Sequence, residues 1–136
     1  MDFISFHAKG TPIYVNATDA TPGHLQMNAS AELRNVHDAF QLIQSYPTLR
    51  HKPVVIGESD PDGCAACVSD AYGYRNGLIY PSYTAATFSR EMDLAMEYGI
   101  NLEGALTWAF EYVSRARLLT MSVADYIIQV RRPPVL

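Results

Sequence analysis

The sequence predicts an α/β fold whose strands pair in parallel. Three short apolar stretches, residues 2–10, 54–61 and 102–111, each end in polar or charged side chains, and segments with helical spacing separate them. Because strands that alternate with helices pair in parallel through crossover connections, we expect the three stretches to share one sheet. The middle stretch, Val-Val-Ile-Gly-Glu-Ser-Asp-Pro, is a β-branched run that stops at Gly57, which is typical of a buried parallel strand.

The polar side chains at the ends of these stretches are the candidate functional residues. His7 and Lys9 end the first stretch, Glu58 ends the second, and Trp108 and Glu111 end the third. Chemistry in α/β folds is done at the carboxyl ends of parallel strands, so these groups could bind one polar ligand together. Position alone leaves a second interpretation of Glu58 open, in which it caps the next turn or faces solvent.

Two helices are expected between the strands. The first begins after a possible cap at Asn28, has Glu32 in its first turn and stops before Pro47. The second runs from about Ser82 to Tyr98, where Gly99 suits the position after the helix end. The apolar face of the first is formed by Leu33, Val36, Phe40 and Ile43, and that of the second by Ala85, Phe88, Met92, Ala95 and Met96.

Two long segments are expected to be loops. Residues 11–23 are rich in Thr, Pro, Asn, Asp and Gly, and residues 60–76 contain similar turn chemistry with Tyr72 and Tyr74. We interpret His24 and His51 as solvent-facing and His37 as packed or half-exposed, rather than as metal ligands.

Composition restricts the class of protein. With 136 residues and 49% hydrophobic content, the chain can form one globular domain. The net charge of -4 and the lack of a basic stripe disfavour nucleic-acid binding, and no apolar run is long enough to cross a bilayer. No signal peptide precedes the first strand, which favours the cytoplasm. A start in mid-strand suggests a fragment of a longer protein.

Cys64 and Cys67 form a Cys-x-x-Cys pair with three possible interpretations: a redox motif, half of a metal site, or two ordinary loop thiols. A redox motif normally leads into a helix, whereas this pair lies among Gly, Asp, Pro and Ser. A zinc site would need two further ligands, and the sequence has no second Cys pair or spaced His pair. A packed or disulfide-capable loop is favoured, and a redox or metal-binding α/β protein is the alternative function.

Taken together, the chain resembles glycoside hydrolase family 39, which includes β-xylosidases and α-L-iduronidases. The resembling stretches are residues 2–10 (Asp-Phe-Ile-Ser-Phe-His-Ala-Lys-Gly), 54–61 with the following Gly-Cys-Ala-Ala-Cys, 74–77 (Tyr-Arg-Asn-Gly) and 104–111 (Gly-Ala-Leu-Thr-Trp-Ala-Phe-Glu). The resemblance implies part of a (β/α)8 barrel, with the three strands as the sixth, seventh and eighth. Residues 1–112 would then be the C-terminal part of the catalytic domain.

The resemblance also implies the roles of the site residues. Glu58 falls at the position of the catalytic nucleophile of a retaining glycosidase, most similar to β-xylosidases. The acid/base glutamate of the family stands in an Asn-Glu-Pro sequence, which does not occur here. Residues that would bind the carbohydrate substrate are His7, Lys9, Gly63, Trp108 and Glu111. Neither a metal nor an organic cofactor is implied, because the mechanism needs carboxylates and water.

Alternatives remain for several of these residues. Trp108 could be a core tryptophan, Gly63 a turn glycine, and Glu111 the partner of another residue. The sequence does not distinguish xylosides from iduronides or other pyranosides, and it does not indicate an oligomeric state. Residues 113–136 depart from the wording of the family, with Pro134-Val135-Leu136 as a faint echo, so we expect a divergent C-terminal tail.

Overall fold

The structure, a computed structural model, describes residues 2–63, 74 and 78–107. These residues form a mixed α/β arrangement, as the sequence predicts. The elements in chain order are β1 (Ile4–Lys9), β2 (Ile13–Val15), β3 (His24–Gln26), α1 (Ala29–Ser45), β4 (Val54–Asp60), α2 (Ile79–Glu97) and β5 (Leu102–Ala105).

The three predicted strands form one parallel sheet in the order β1-β4-β5. Strand β4 is therefore the central one among the described residues, and both of its neighbours run in the same direction. The third strand ends at Ala105, earlier than the sequence pattern suggests. The carboxyl ends of all three strands lie at the same end of the sheet, and Glu58 lies at this end.

A bulge in β4 decides which way the following side chains point. Phe6 lies opposite Ile56, but the next residue of β1, His7, lies opposite Glu58, so Gly57 is the extra residue. An extra residue reverses the alternation of side chains between the two faces of a strand. As a result Ser59 lies on the helix side of the sheet, while Glu58 and its neighbour Asp60 face the other side.

Both helices pack on the same face of the sheet around one hydrophobic core. Val54 and Ile56 of β4 are fully buried there, and Ala8 of β1 and Leu102 of β5 lie beside them. The predicted apolar face of α1 is confirmed for its three buried members, and Leu33 is half-buried. The core is formed by Ala8, Val36, Phe40, Ile43, Val54, Ile56, Phe88, Ala95, Ile100, Leu102 and Ala105.

The predicted face of α2 is only partly correct. Phe88 and Ala95 are buried and Met92 is half-buried, but Ala85 and Met96 are exposed. The helix instead buries a row of polar side chains: Tyr80, Tyr83, Thr84, Thr87 and Glu91. Threonines can be buried there because their hydroxyls donate to carbonyl oxygens one turn earlier in the same helix, at 3.0 Å from Thr84 and 3.1 Å from Thr87.

The helix ends match the sequence more closely. Helix α1 stops at Ser45, before the proline, and Gly99 has a positive φ of 62° just beyond the end of α2, as predicted. Helix α2 begins at Ile79, several residues before the predicted start. Asn28 occupies the N-cap position of α1, but its side chain donates to the hydroxyl of Thr11 and makes no capping bond in the part of the chain that the structure describes.

The loop prediction for residues 11–23 is wrong for residues 13–15, which form strand β2. This strand pairs with β3, directly after the predicted loop, in a small antiparallel hairpin. His24 therefore lies in a strand rather than a loop, although it is exposed as expected. His37 is half-exposed with its Nε2 2.7 Å from the hydroxyl of Tyr98, and His51 is exposed at the end of the sheet far from Glu58.

A buried cluster of acidic and hydroxyl groups lies between the sheet and the helices. Ser59 Oγ is 2.5 Å from Glu32 Oε1 and 2.8 Å from Glu91 Oε1, and both carboxyl groups are fully buried. The hydroxyl of Tyr83 donates to the other oxygen of Glu32. Glu91 Oε2 has no partner among the described residues. Glu32 thus points into the core, which its first-turn position did not indicate.

Burial makes these two carboxyl groups weaker acids than an ordinary glutamate. It raises the pKa of Glu32 to about 7 and the pKa of Glu91 to about 8, although hydrogen bonds from Ser59 act in the opposite direction. Ser59 has one proton and can donate to only one of the two carboxyl groups at a time. Ser59 can therefore hydrogen-bond to Glu32 and Glu91 together only when at least one of these two carboxyl groups is protonated.

This arrangement predicts that the protein loses stability as the pH rises. Both carboxyl groups bind protons more tightly in the folded chain, so their contribution is complete below the ordinary glutamate pKa. It declines as the pH rises from about 5 and is lost above the folded pKa values of about 7 and 8. Each unit of pKa difference corresponds to about 1.4 kcal/mol, so we expect a loss on the order of a few kcal/mol in urea unfolding.

A matched pair of variants tests this origin. Glu91→Gln keeps an oxygen for Ser59 and removes the titrating group, so it should flatten the decline with pH. Glu97→Gln removes an exposed carboxylate from the same helix and should leave the decline unchanged. Equal slopes in Glu91→Gln and in the original protein would contradict the assignment.

Candidate functional site

The structure brings three of the predicted site residues together at the carboxyl ends of β1 and β4. Lys9 Nζ lies 2.5 Å from Glu58 Oε2, and His7 Nδ1 lies 3.6 Å from the same oxygen. The side chain of Glu58 is 27% exposed and that of Lys9 is 23% exposed, so both groups are reachable from solvent. Glu58 therefore contacts Lys9 and His7 rather than facing solvent alone.

Asp60 is a fourth member of the site. Lys9 Nζ also forms an ion pair with Asp60 Oδ2, and the side chain of Asp60 is only 4% exposed. Lys9 lies directly opposite Asp60 in the parallel register, whereas Glu58 is the diagonal neighbour. One ammonium group therefore lies between two carboxylates of the same strand.

Hydroxyl groups from two further elements hold Asp60. Thr107, just beyond β5, donates to Asp60 Oδ1 at 2.7 Å, and Tyr80 in the first turn of α2 donates to the same oxygen at 3.3 Å. The two hydroxyl oxygens are 2.8 Å apart. Asp60 thus connects β1, β4, α2 and the segment after β5 at one point.

The charges of the site act on one another. The hydrogen bond from Lys9 lowers the pKa of Glu58 below its ordinary range, burial opposes this, and the charges of Lys9 and His7 add to the lowering. For Lys9, burial acts to lower the pKa, but the hydrogen bonds to Asp60 and Glu58 outweigh it and raise the pKa. Glu58 is therefore kept as a carboxylate and Lys9 as an ammonium at neutral pH.

Gly10, directly after Lys9, packs closely against the end of β4. The amide of Gly10 donates to the carbonyl of Asp60 at 2.8 Å. A Cβ at Gly10 would lie 2.4 Å from the carbonyl oxygen of Pro61 and 2.6 Å from the hydroxyl of Tyr83, so only glycine fits. This contact fixes the end of β1 against the end of β4, and it thereby fixes the base of the Lys9 side chain.

Gly63 is the one further predicted site residue that lies within the described chain, and it is outside this cluster. Gly63 is exposed in the bend after β4, and a Cβ there would meet open space. Trp108, Glu111, Cys64 and Cys67 lie outside the described residues, as does the predicted tail at 113–136.

Reasoning from the sequence missed Asp60, Tyr80 and Thr107. Asp60 could not have been placed, because the bulge at Gly57 turns residues 58 and 60 to the face opposite the one that regular alternation predicts. Tyr80 was assigned to the segment before α2, and the threonine carried no signal of its own.

The arrangement has the properties of a nucleophile or an anionic binding group. Glu58 is an ionised, partly exposed carboxylate with a cation at hydrogen-bond distance. Among the described residues there is no group of three or more His, Cys, Asp or Glu side chains arranged to hold a metal ion. The helices of that same portion are too short or too polar to cross a membrane.

Comparisons with family models, curated protein sequences and solved structures found no match to this chain. Its function is therefore inferred from the geometry of the strand ends and from the sequence motifs that surround them.

Replacing Lys9 with methionine tests the electrostatics of the site. The change removes the ammonium and keeps most of the chain length, so the pKa of Glu58 should rise. It can be measured from the carboxyl carbon shift of Glu58 in an NMR titration. Lys52→Met provides the control, since Lys52 precedes β4 at the opposite end of the sheet. An unchanged pKa in Lys9→Met would show that Lys9 does not act on Glu58.

Proposed function

We propose that this chain carries the nucleophile of a retaining glycoside hydrolase that cleaves O-glycosidic bonds, with β-xylosides as its substrates. The observation that carries the proposal is the contact of 2.5 Å between the Lys9 ammonium and the Glu58 carboxylate, at the carboxyl ends of two adjacent parallel strands. The motifs around His7, Lys9 and Glu58, which resemble glycoside hydrolase family 39, add the substrate class.

We further propose that the sheet is part of a (β/α)8 barrel. Two features support this. The strands follow one another across the sheet in the order in which they occur in the chain, and both helices lie on the same face. In a barrel each strand lies beside its predecessor and all helices lie outside, with catalytic groups at the carboxyl ends. Residues 1–112 would belong to the catalytic domain and 113–136 to a tail.

In the proposed reaction, an oxygen of Glu58 attacks the anomeric carbon of the glycoside. The new ester bond forms as the bond to the leaving oxygen breaks, and a general acid gives that oxygen a proton. Water then attacks the anomeric carbon of this ester. The group that served as the general acid now takes a proton from the water, and Glu58 leaves as a carboxylate. The chain supplies the first nucleophile; the acid/base glutamate is assigned to no residue of this sequence.

The neighbours of Glu58 would support this chemistry in two ways. Lys9 keeps the attacking group ionised, because its hydrogen bond favours the carboxylate over the acid. The exposed His7 and the partly buried Lys9 have donors that could bind sugar hydroxyls. Trp108 would offer an apolar face for the sugar ring, and Gly63 and Glu111 would complete the binding residues.

A mechanism-based label tests the proposal directly. 2,4-Dinitrophenyl 2-deoxy-2-fluoro-β-xyloside has a leaving group that departs without a proton, so the label can react in the absence of a general acid. The fluorine slows hydrolysis of the ester, and a covalent adduct should accumulate. Peptide mapping is expected to find it on Glu58, and Glu58→Gln should abolish it, because an amide is a far weaker nucleophile.

The matched control is Glu103→Gln, since Glu103 is an exposed carboxylate on the neighbouring strand β5. This variant should label as the original protein does. An adduct on Glu103 or Glu111, or labelling that persists in Glu58→Gln, would show that Glu58 is not the nucleophile. A loss of function on replacing Cys64 with serine, with Glu58→Gln fully functional, would favour the thiol alternative.

A further inference from the structure

We propose that Asp60 is a positioning residue that holds the Lys9 ammonium against Glu58 and stays as its counter-ion when Glu58 is esterified. The first part depends only on the geometry of the strand ends. The second part rests on the proposed glycosidase function. Neither the sequence motifs nor the position of Glu58 indicated a role for Asp60.

The surroundings of the two carboxylates differ: Asp60 is buried and held in place, whereas Glu58 is accessible to a ligand. Asp60 has a side chain that is 4% exposed, against 27% for Glu58. Its two oxygens have different partners: Oδ2 binds Lys9, and Oδ1 accepts from Thr107 and Tyr80. Asp60 is therefore held by hydroxyls on two other elements, whereas Glu58 has described polar contacts only with Lys9 and His7.

The register explains why Lys9 depends on this anchor. Lys9 is paired with Asp60 across the strands, and its side chain reaches Glu58 on the diagonal. Without this anchor Lys9 could turn to solvent at little cost, because its pair with Glu58 is partly exposed and such pairs contribute little to stability. The buried Asp60 makes the inward position of the ammonium the favourable one.

Counting charges shows what Asp60 would do during the reaction. Before attack, one ammonium lies between two carboxylates, and the three groups together carry one negative charge. Once Glu58 becomes a neutral ester, its attraction for Lys9 falls. Among the described residues, Asp60 then remains as the carboxylate partner of Lys9, and the Lys9–Asp60 pair is neutral. The half-buried ammonium is thus compensated in both states, and it stays in place when Glu58 regains its charge.

The test compares the pKa of Glu58 in four forms of the chain: the original protein, Lys9→Met, Asp60→Asn and the double variant. If Asp60 positions Lys9, Asp60→Asn should raise the pKa of Glu58 toward its value in Lys9→Met, and the double variant should show no additional rise. If Asp60 acts only as a neighbouring negative charge, its removal should lower the pKa of Glu58. The two roles therefore predict shifts of opposite sign.

A second variant covers the case in which Asp60→Asn does not fold. Thr107→Val removes a donor to Asp60 while keeping the size of the side chain and every charge, so it should raise the pKa of Glu58 by a smaller amount. Asp38→Asn, which removes an exposed aspartate on α1, is the control and should have no effect. A lowered or unchanged pKa of Glu58 in both Asp60→Asn and Thr107→Val would overturn the proposal.

Labelling with the 2-fluoro-xyloside separates this proposal from the proposed function. Asp60→Asn should label Glu58 about tenfold more slowly, which is a modest change in the barrier to attack. Shifts of the Glu58 pKa without labelling in any form would retain the positioning role and reject the counter-ion role together with the glycosidase. Normal labelling in Asp60→Asn, with its Glu58 pKa unshifted, would reject the positioning role and retain the glycosidase.

Discussion

One ammonium group lies between two carboxylates where the parallel strands end, and the site depends on that contact. Lys9 comes from β1, while Glu58 and Asp60 come from β4, so the ion pairs join the two strands at their carboxyl ends. Asp60 extends the connection to α2 through Tyr80 and to the segment beyond β5 through Thr107. The same groups that hold the strand ends together keep Glu58 ionised and accessible.

The bulge at Gly57 makes this arrangement possible, because it separates acidic groups with opposite properties. On the open side of the sheet, Glu58 is partly exposed beside a cation, and its pKa is lowered. On the helix side, Ser59 contacts Glu32 and Glu91, whose burial raises their pKa values to about 7 and about 8. Carboxyl groups within one small region thus differ in pKa because their environments differ.

Most of the secondary structure could be predicted from the sequence, because its signals are local. The β-branched run before Gly57, the apolar spacing of α1 and the position of Gly99 each depend on nearby residues, and each is confirmed. The hairpin of β2 and β3 was missed because its short strands lack an apolar alternation. The face of α2 was misjudged because apolar Ala85 and Met96 are exposed while polar Glu91 is buried.

Part of the candidate site could also be predicted from the sequence. His7, Lys9 and Glu58 could be identified because strand ends of a parallel sheet converge, and the structure brings them together. Asp60 could not be placed, since without the bulge residues 58 and 60 would have faced the helices. The acidic cluster around Ser59 depends on pairs far apart in the chain, and no local pattern reveals that Glu32 and Glu91 share one hydroxyl.

A double-mutant cycle of stability measures most directly whether the Lys9–Asp60 pair joins the strands. Lys9→Met, Asp60→Asn and the double variant would be unfolded in urea at neutral pH. If the two residues depend on each other, the double variant should lose less stability than the sum of the single losses, by about 1 kcal/mol or more. If the stability lost in the double variant equals the sum of the two single losses, Lys9 and Asp60 act independently. That result would contradict the claim that Asp60 anchors the Lys9 ammonium at the ends of the strands.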